Sequence, residues 1–183
     1  MNSSGEINHL DKQEKRWFAV YTKYKCEKFV TTLLDKKRIV SYVPLQTVVK
    51  RYQRKIKKYD IPLINNYVFV HITSKEYIAV LETEYVYKFI RQGKNLISIP
   101  GWEIDTLKQI VGDIEYMAPV NSSSLLIGEE VEIVSGQLSG LSGKIVSKQG
   151  KKSFVIELKN IGFEFHVQID MSLLKPVKVK ASA

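Results

Sequence analysis

Between Lys50 and Lys58 the sequence KRYQRKIKK places six cations in nine residues: Lys50, Arg51, Arg54, Lys55, Lys57 and Lys58. Tyr52, Ile56 and Tyr59 are set among and beside them. Cations at this density neutralise phosphates, and interleaved aromatic rings can stack on bases or pack beneath lysine stems. The competing reading is a solvated hairpin whose lysines keep a sheet edge from pairing with other chains. Tyrosine is also a common strand former in its own right. On these residues alone both readings stand.

Catalytic chemistry finds no comparable cluster. His9, His71 and His166 are far apart without metal-ligand spacing, and His71, in an alternating run, reads as a packing residue. Cys26 is the single cysteine, which excludes an internal disulfide and a multi-cysteine metal centre. It falls on the expected apolar face of a helix, where a buried thiol is inert despite the nearby Lys25 and Lys28. There is no phosphate-cradling glycine loop, no GxSxG and no carboxylate pair in an apolar setting. The residues describe a binding protein that uses no cofactor or metal, and not an enzyme.

The charge distribution says what such a protein would bind. The net charge is +9, and residues 1–111 carry 20 Lys/Arg against 11 Asp/Glu, whereas residues 112–183 carry 8 of each. The whole excess lies in the N-terminal part, which implies a polyanion-facing half and a neutral half. A hydrophobic content of 44% in 183 residues suits one large or two small globular domains. No apolar run approaches the ~20 residues of a membrane helix, and the polar start MNSSGEINHLDKQEKR is no signal peptide. The expectation is a cytoplasmic monomer with no membrane partner.

The elements that would position these residues follow from periodicity. RWFAVYT (16–22) alternates as a strand, and Cys26, Phe29, Val30, Leu33 and Leu34 mark one face of a helix. IVSYVPL is a short extended piece broken by Pro44. TVVKRYQRKIKKYDI predicts two strands around a turn near Gln53, followed by the inner strand YVFVHI. TSKE (73–76) matches a capping box ahead of a helix with Tyr77, Val80 and Leu81. YVYKFI is a strand, and after Pro100 a helix presents Ile104, Leu107 and Val111. The order β-α-β-β-β-α-β-α predicts an α+β sandwich, an antiparallel sheet backed by helices. After a Pro/Ser/Asn-containing linker, period-two runs separated by glycines predict a five-stranded SH3-like barrel. Gly136, Gly140 and Gly143 read as turn formers. The expected organisation is a flexible tail over 1–15, a first domain over 16–111, a linker over 112–126, a barrel over 127–178 and a tail over 179–183.

In this order, RWFAVYTKYKCEKFVTTLL, YVPL, NNYVFVHI, FIRQG and ISIP resemble the N-terminal (NGN) domain of NusG-like transcription elongation factors. GEEVEIVSGQLSGLSGKI resembles the KOW motif of the same family. WFAVYT and FIRQG look closer to specialised antitermination paralogues of the RfaH and UpxY types, which act on polysaccharide operons. The chain departs from the family pattern where Ile64 and Asn65 replace a common Phe-Pro pair. The resemblance implies docking on the clamp helices of the RNA polymerase β′ subunit, with the β gate loop as a further contact, and suppression of pausing or termination. By position it assigns Tyr21, Ile64, Asn65, Tyr67 and Phe89 to the polymerase surface, although Tyr67 and Phe89 also suit a core. It assigns Lys23, Lys25 and Lys28 to non-template DNA and turns the basic hairpin toward upstream DNA. The KOW domain would recruit a NusE-type ribosomal protein or Rho, through Leu138, Ile161 and Phe163. The alternatives are a housekeeping factor that also stimulates Rho-dependent termination, and a general KOW-type RNA- or ribosome-binding protein. A purely structural adaptor is a third, against which the positive half argues.

Overall fold

Along β1 (Arg16–Thr22) Phe18, Val20 and Thr22 are fully buried and Trp17 and Tyr21 half-buried, an alternation that Ala19, 6% exposed, interrupts. That alternation fixes which face of a sheet can carry a core. The computed structural model describes residues 6–112, 119–120, 130–135, 138–148, 151–167 and 174–177. It divides into two compact units, residues 1–105 and 106–183.

In the first unit, β1 is followed by α1 (Glu27–Lys36), β2 (Val40–Tyr42), β3 (Leu45–Tyr52), β4 (Lys55–Pro62) and β5 (Tyr67–Ile72). Next come α2 (Tyr77–Leu81), β6 (Val86–Phe89) and the start of α3 (Gly101–Gly112). Pro44 divides the segment after α1 into two strands, so the order holds one strand more than predicted. The sheet runs β2-β5-β1-β6, all antiparallel. Direct pairing of Phe18 with Val70, and of Val20 with Val68 and Phe89, puts one apolar face together. Val30 and Leu34 of α1 and Val80 of α2 join it in a single buried cluster. Burying each such side chain contributes about 1.5–3 kcal/mol. The capping box is present: the Thr73 backbone N–H donates to Glu76 Oε2 at 2.9 Å, one turn before α2.

Two helix faces differ from the sequence reading. The α1 stripe is Glu27, Val30 and Leu34, while Phe29 is 48% exposed and Cys26, at the N-cap, is half-buried. The helix starts one residue late, and the buried Glu27 takes the place expected for the cysteine. In α3 the buried apolar positions are Ile104, Leu107 and Ile110, and Val111 is only half-buried. Residues 6–14, expected in a flexible tail, are tied down. Backbone bonds join Ile7 and His9 to Leu96, Asp11 O accepts the Ser74 N–H at 2.7 Å, and His9 Nδ1 lies 3.0 Å from Ser98 Oγ.

In the second unit all five expected strands form: β8 (Glu130–Ile133), β9 (Ser142–Lys148), β10 (Lys151–Leu158), β11 (Phe163–Val167) and β12 (Leu174–Pro176). A sixth, β7 (Pro119–Val120), arises inside the segment read as a linker and pairs with Glu164 and Phe165. The antiparallel order is β12-β8-β9-β10-β11-β7. The rest of the expected linker, from 113, and Gly136 lie outside the described residues. Gly140 has positive φ and serves a turn, as expected, and Gly162 has positive φ as well. Gly143 does not. It sits in β9 opposite Val131, where a Cβ would lie 2.3 Å from Val155 O and 2.6 Å from the Phe154 ring.

Candidate nucleic-acid and protein interface

The β3 and β4 strands pair only with each other, outside the four-stranded sheet. Tyr52 pairs with Lys55 across a turn of Gln53 and Arg54, and Lys50 with Lys57, Arg51 with Ile56, Val49 with Lys58 and Thr47 with Asp60 follow. Every residue from Val49 to Ile61 is exposed. Paired residues share a face. Lys50, Lys55 and Lys57 therefore stand on one side with Tyr52 and Tyr59, and Arg51 and Lys58 on the other with Val49 and Ile56. The two tyrosine hydroxyls are 3.4 Å apart, and Lys50 Nζ lies 5.9 Å from the Tyr59 ring centre. The Tyr52 contact holds the Tyr59 hydroxyl pKa up. At the hairpin base, Thr47 Oγ1 donates to Asp60 Oδ1 at 2.7 Å.

Lys28 of α1 donates from Nζ to the Asp60 carbonyl at 3.0 Å, so the helix and the hairpin base adjoin. Lys23 and Lys25, before α1, are exposed and lie over the rings of Tyr85 and Tyr24, each at 5.2 Å. Lys25 has φ +63, and this left-handed turn opens the helix. The structure thus brings the helix-start lysines and the hairpin onto neighbouring elements.

A second cluster is aromatic. Tyr21 and Tyr67 are directly paired and meet edge to face at 6.2 Å. Tyr87, 59% exposed, is 6.3 Å from Tyr21, and Lys88 Nζ lies 6.0 Å over the Tyr21 ring. Burial, and secondarily Tyr21, pushes the Tyr67 hydroxyl pKa upward. Tyr87 and Lys88 were not singled out from sequence. Strict alternation would place Tyr87 on the side of the buried Phe89, but a register shift between Tyr21 and Thr22 leaves both Tyr87 and Lys88 outside.

Beside the tyrosines, Asn65 is exposed, but Ile64 and Phe89 are not surface residues. Ile64 is 1% exposed, and Phe89 is 3% exposed, stacked on Tyr77 at 4.5 Å and edge-on to Phe18. Their apolar side chains complete the core. Asn66 closes this loop in the left-handed region at φ +67. Its N–H donates to the buried Glu27 Oε1 at 2.7 Å, its Nδ2 to Thr22 O at 3.1 Å, and its carbonyl accepts the Thr22 N–H at 2.8 Å. His71 packs as expected, stacked on Trp17 at 4.8 Å with Nε2 donating to Lys15 O. In the second unit, Leu138 and Ile161 are also buried, at 6% and 5% exposure, and Phe163 is half-buried.

Residues 15–108, just over half of the chain, match the model of a family described as NusG, transcription termination factor nusG. The chain belongs to the NusG family. Among solved structures it is similar to one on domain interaction in Thermotoga maritima NusG, with a TM-score of 0.54 at 20% identity. That match covers 90% of this chain and 98% of the other. A structure of the MjSpt4:Spt5 complex in conformation B matches at TM-score 0.33 and 18% identity, over 88% of this chain and 96% of that one. No curated protein matches the sequence. The T. maritima likeness bears on fold, and it agrees with an α+β NGN-type unit followed by a strand-rich KOW-like unit. The protein is a NusG-family transcription factor. Among the described residues no helix is long and apolar enough to cross a membrane.

Proposed function

We propose that this protein is an elongation factor that binds RNA polymerase at the β′ clamp helices and suppresses pausing or termination. The partly exposed aromatic cluster of Tyr21, Tyr67 and Tyr87 carries this reading. Aromatic side chains that are half-buried in the free protein and desolvated on docking are the usual anchors of a protein interface. Asn65 stands at its edge, and the departure at Ile64 leaves a smaller apolar side chain in the loop core. Lys23, Lys25 and Lys28 contact non-template DNA, and the basic hairpin lies toward upstream DNA. The neutral KOW-like unit serves a protein partner, a NusE-type ribosomal protein or Rho, with Phe163 as its half-exposed apolar contact. Action on particular operons, as in the specialised paralogues, is part of this reading. The deciding experiment is in-vitro elongation on a pausing template with purified polymerase. Shortened pauses are expected on adding the protein; unchanged or lengthened pauses would refute the antipausing role.

A further inference from the structure

The hairpin carries charge in an arrangement that a solubilising edge does not need. Protection of an edge takes one row of charges along the open side. Here cations occupy both broad faces and the turn, and Lys50 and Lys57 stand directly opposite each other. Like charges in that position destabilise a strand pair. The one acid of the hairpin, Asp60, sits at its base and accepts the Thr47 hydroxyl. Lys15–Glu76 and Arg16–Glu14 form ion pairs elsewhere in this unit, and among the described residues none of the six hairpin cations takes part in one. A polyanion lying along one side of the ribbon would leave the other face uncompensated. Two walls of phosphate would compensate both.

We propose that the β3–β4 hairpin inserts into the major groove of duplex DNA, with phosphates of one strand meeting Lys50, Lys55 and Lys57 and those of the other meeting Arg51 and Lys58. This rests on the reading that the protein meets DNA during elongation, and adds the mode of contact. The dimensions agree. A two-stranded ribbon with side chains on both faces is about 10 Å thick, and the B-form major groove is about 12 Å wide and admits such a ribbon. The exposed paired stretch, Val49–Tyr52 against Lys55–Lys58, advances about 10 Å, enough to span the groove's depth of about 8.5 Å. The deep, narrow major groove of A-form RNA excludes the ribbon, and a single strand offers no second wall.

The test uses the full chain with a fluorescent DNA duplex, an RNA duplex of the same sequence and the single DNA strand, titrated by anisotropy at several salt concentrations without polymerase. Duplex DNA should bind at least about tenfold more tightly than duplex RNA. Each phosphate contact adds about 0.9 to the slope of log affinity against log salt, so the triple change of Lys50, Lys55 and Lys57 to Gln should lower the slope by about 2.7, and Arg51→Gln with Lys58→Gln by about 1.8. A major-groove dye should displace the protein, and a minor-groove dye should not. An unchanged slope for either set, equal binding of duplex RNA, or displacement by the minor-groove dye alone overturns insertion. All five substituted residues are exposed, so unchanged melting curves are expected and serve as the folding control. Elongation assays judge the polymerase reading separately: a wild-type protein that binds duplex DNA in this way but leaves pausing unaltered sinks that reading and spares this one.

Discussion

Asn66 should be far more sensitive to alanine than to glycine. It occupies φ +67, where a Cβ costs roughly 1–2 kcal/mol and Asn is tolerated better than most residues. Its side chain adds a part-buried bond from Nδ2 to Thr22 O, worth about 0.5–1.5 kcal/mol. Asn66→Ala loses the bond and also the local hydrogen bonding that lets Asn tolerate this region, so the Cβ clash is left uncompensated, for a total of at most about 1.5–3.5 kcal/mol. Asn66→Gly loses the bond but adopts the backbone freely, at an entropic cost of roughly 0.5–1 kcal/mol. The glycine variant should therefore be the more stable of the two by about 1 kcal/mol. If alanine instead flips the loop to negative φ, the N–H donated to Glu27 Oε1 is lost, leaving that carboxylate buried without this partner. That outcome makes the alanine loss larger still. Trp17 and Trp102 both lie within residues 1–105, so urea unfolding followed by tryptophan fluorescence reports on this unit. Equal losses for alanine and glycine, or an alanine loss below about 1 kcal/mol, would refute the argument that the left-handed turn holds the loop.

Tyr67→Ala should weaken polymerase binding by about thirtyfold or more, the ~2 kcal/mol expected of an interface anchor, while urea unfolding shows the first unit folded; lost stability with unchanged affinity would make Tyr67 a packing residue only. Gly143→Ala should cost about 1–3 kcal/mol or more, because the new methyl would overlap the Val155 carbonyl, which belongs to a paired strand. Thermal unfolding of the full chain followed by far-UV circular dichroism would measure that, and a wild-type melting curve would contradict it. Burial pushes the Tyr42 hydroxyl pKa up to about 12 from 10.0, so its contribution to stability is complete below pH 10 and falls away as pH rises toward 12. Tyr42→Phe should flatten the alkaline limb of the stability curve, and an unaltered limb would assign the loss elsewhere. Limited proteolysis should cut first within the linker read from the sequence, outside the paired Pro119–Val120, and leave two folded pieces, and a chain resistant to cleavage there would count against independent domains.

The elements were legible because alternation and helical spacing are strong over β1, α1, β5 and the five runs of the second unit. Faces were less so. Cys26 and Phe29 fit an apolar helix stripe, yet the buried acid at Glu27 decides the rotation, because its carboxylate takes the Asn66 N–H, a contact 39 residues away in sequence. The geometry of the candidate site was half legible. Tyr21 and Tyr67 were placed together by family position, and β pairing explains why. Ile64 and Phe89 were placed beside them for the same reason, but apolarity alone does not distinguish an exposed anchor from a core residue. Tyr87 and Lys88 depend on a bulge that leaves no mark in composition. Gly143 reads like the other glycines of a turn-rich segment, and only the approach of β10 sets it apart.

The hairpin is where sequence and structure together say most, because its local energetics are poor. A two-stranded ribbon alone is marginal in water, and β3–β4 has no third strand. What holds it is clustered at the base and along one face: Lys28 on the Asp60 carbonyl, the Leu63 N–H on Pro44 O, the Thr47–Asp60 bond and the Tyr52–Tyr59 contact. Against these stand six cations without an ion pair among the described residues. Binding a polyanion removes that repulsion and stabilises the ribbon by mass action. The tip should therefore exchange its amide hydrogens quickly in the free protein and slowly on duplex DNA, while Leu45–Val48 and Tyr59–Pro62 change little. Hydrogen exchange on the full chain, with and without a DNA duplex, reads this directly. Equal protection of the 50–58 segment in both states would mean that the ribbon is stable by itself and that its charges serve solubility.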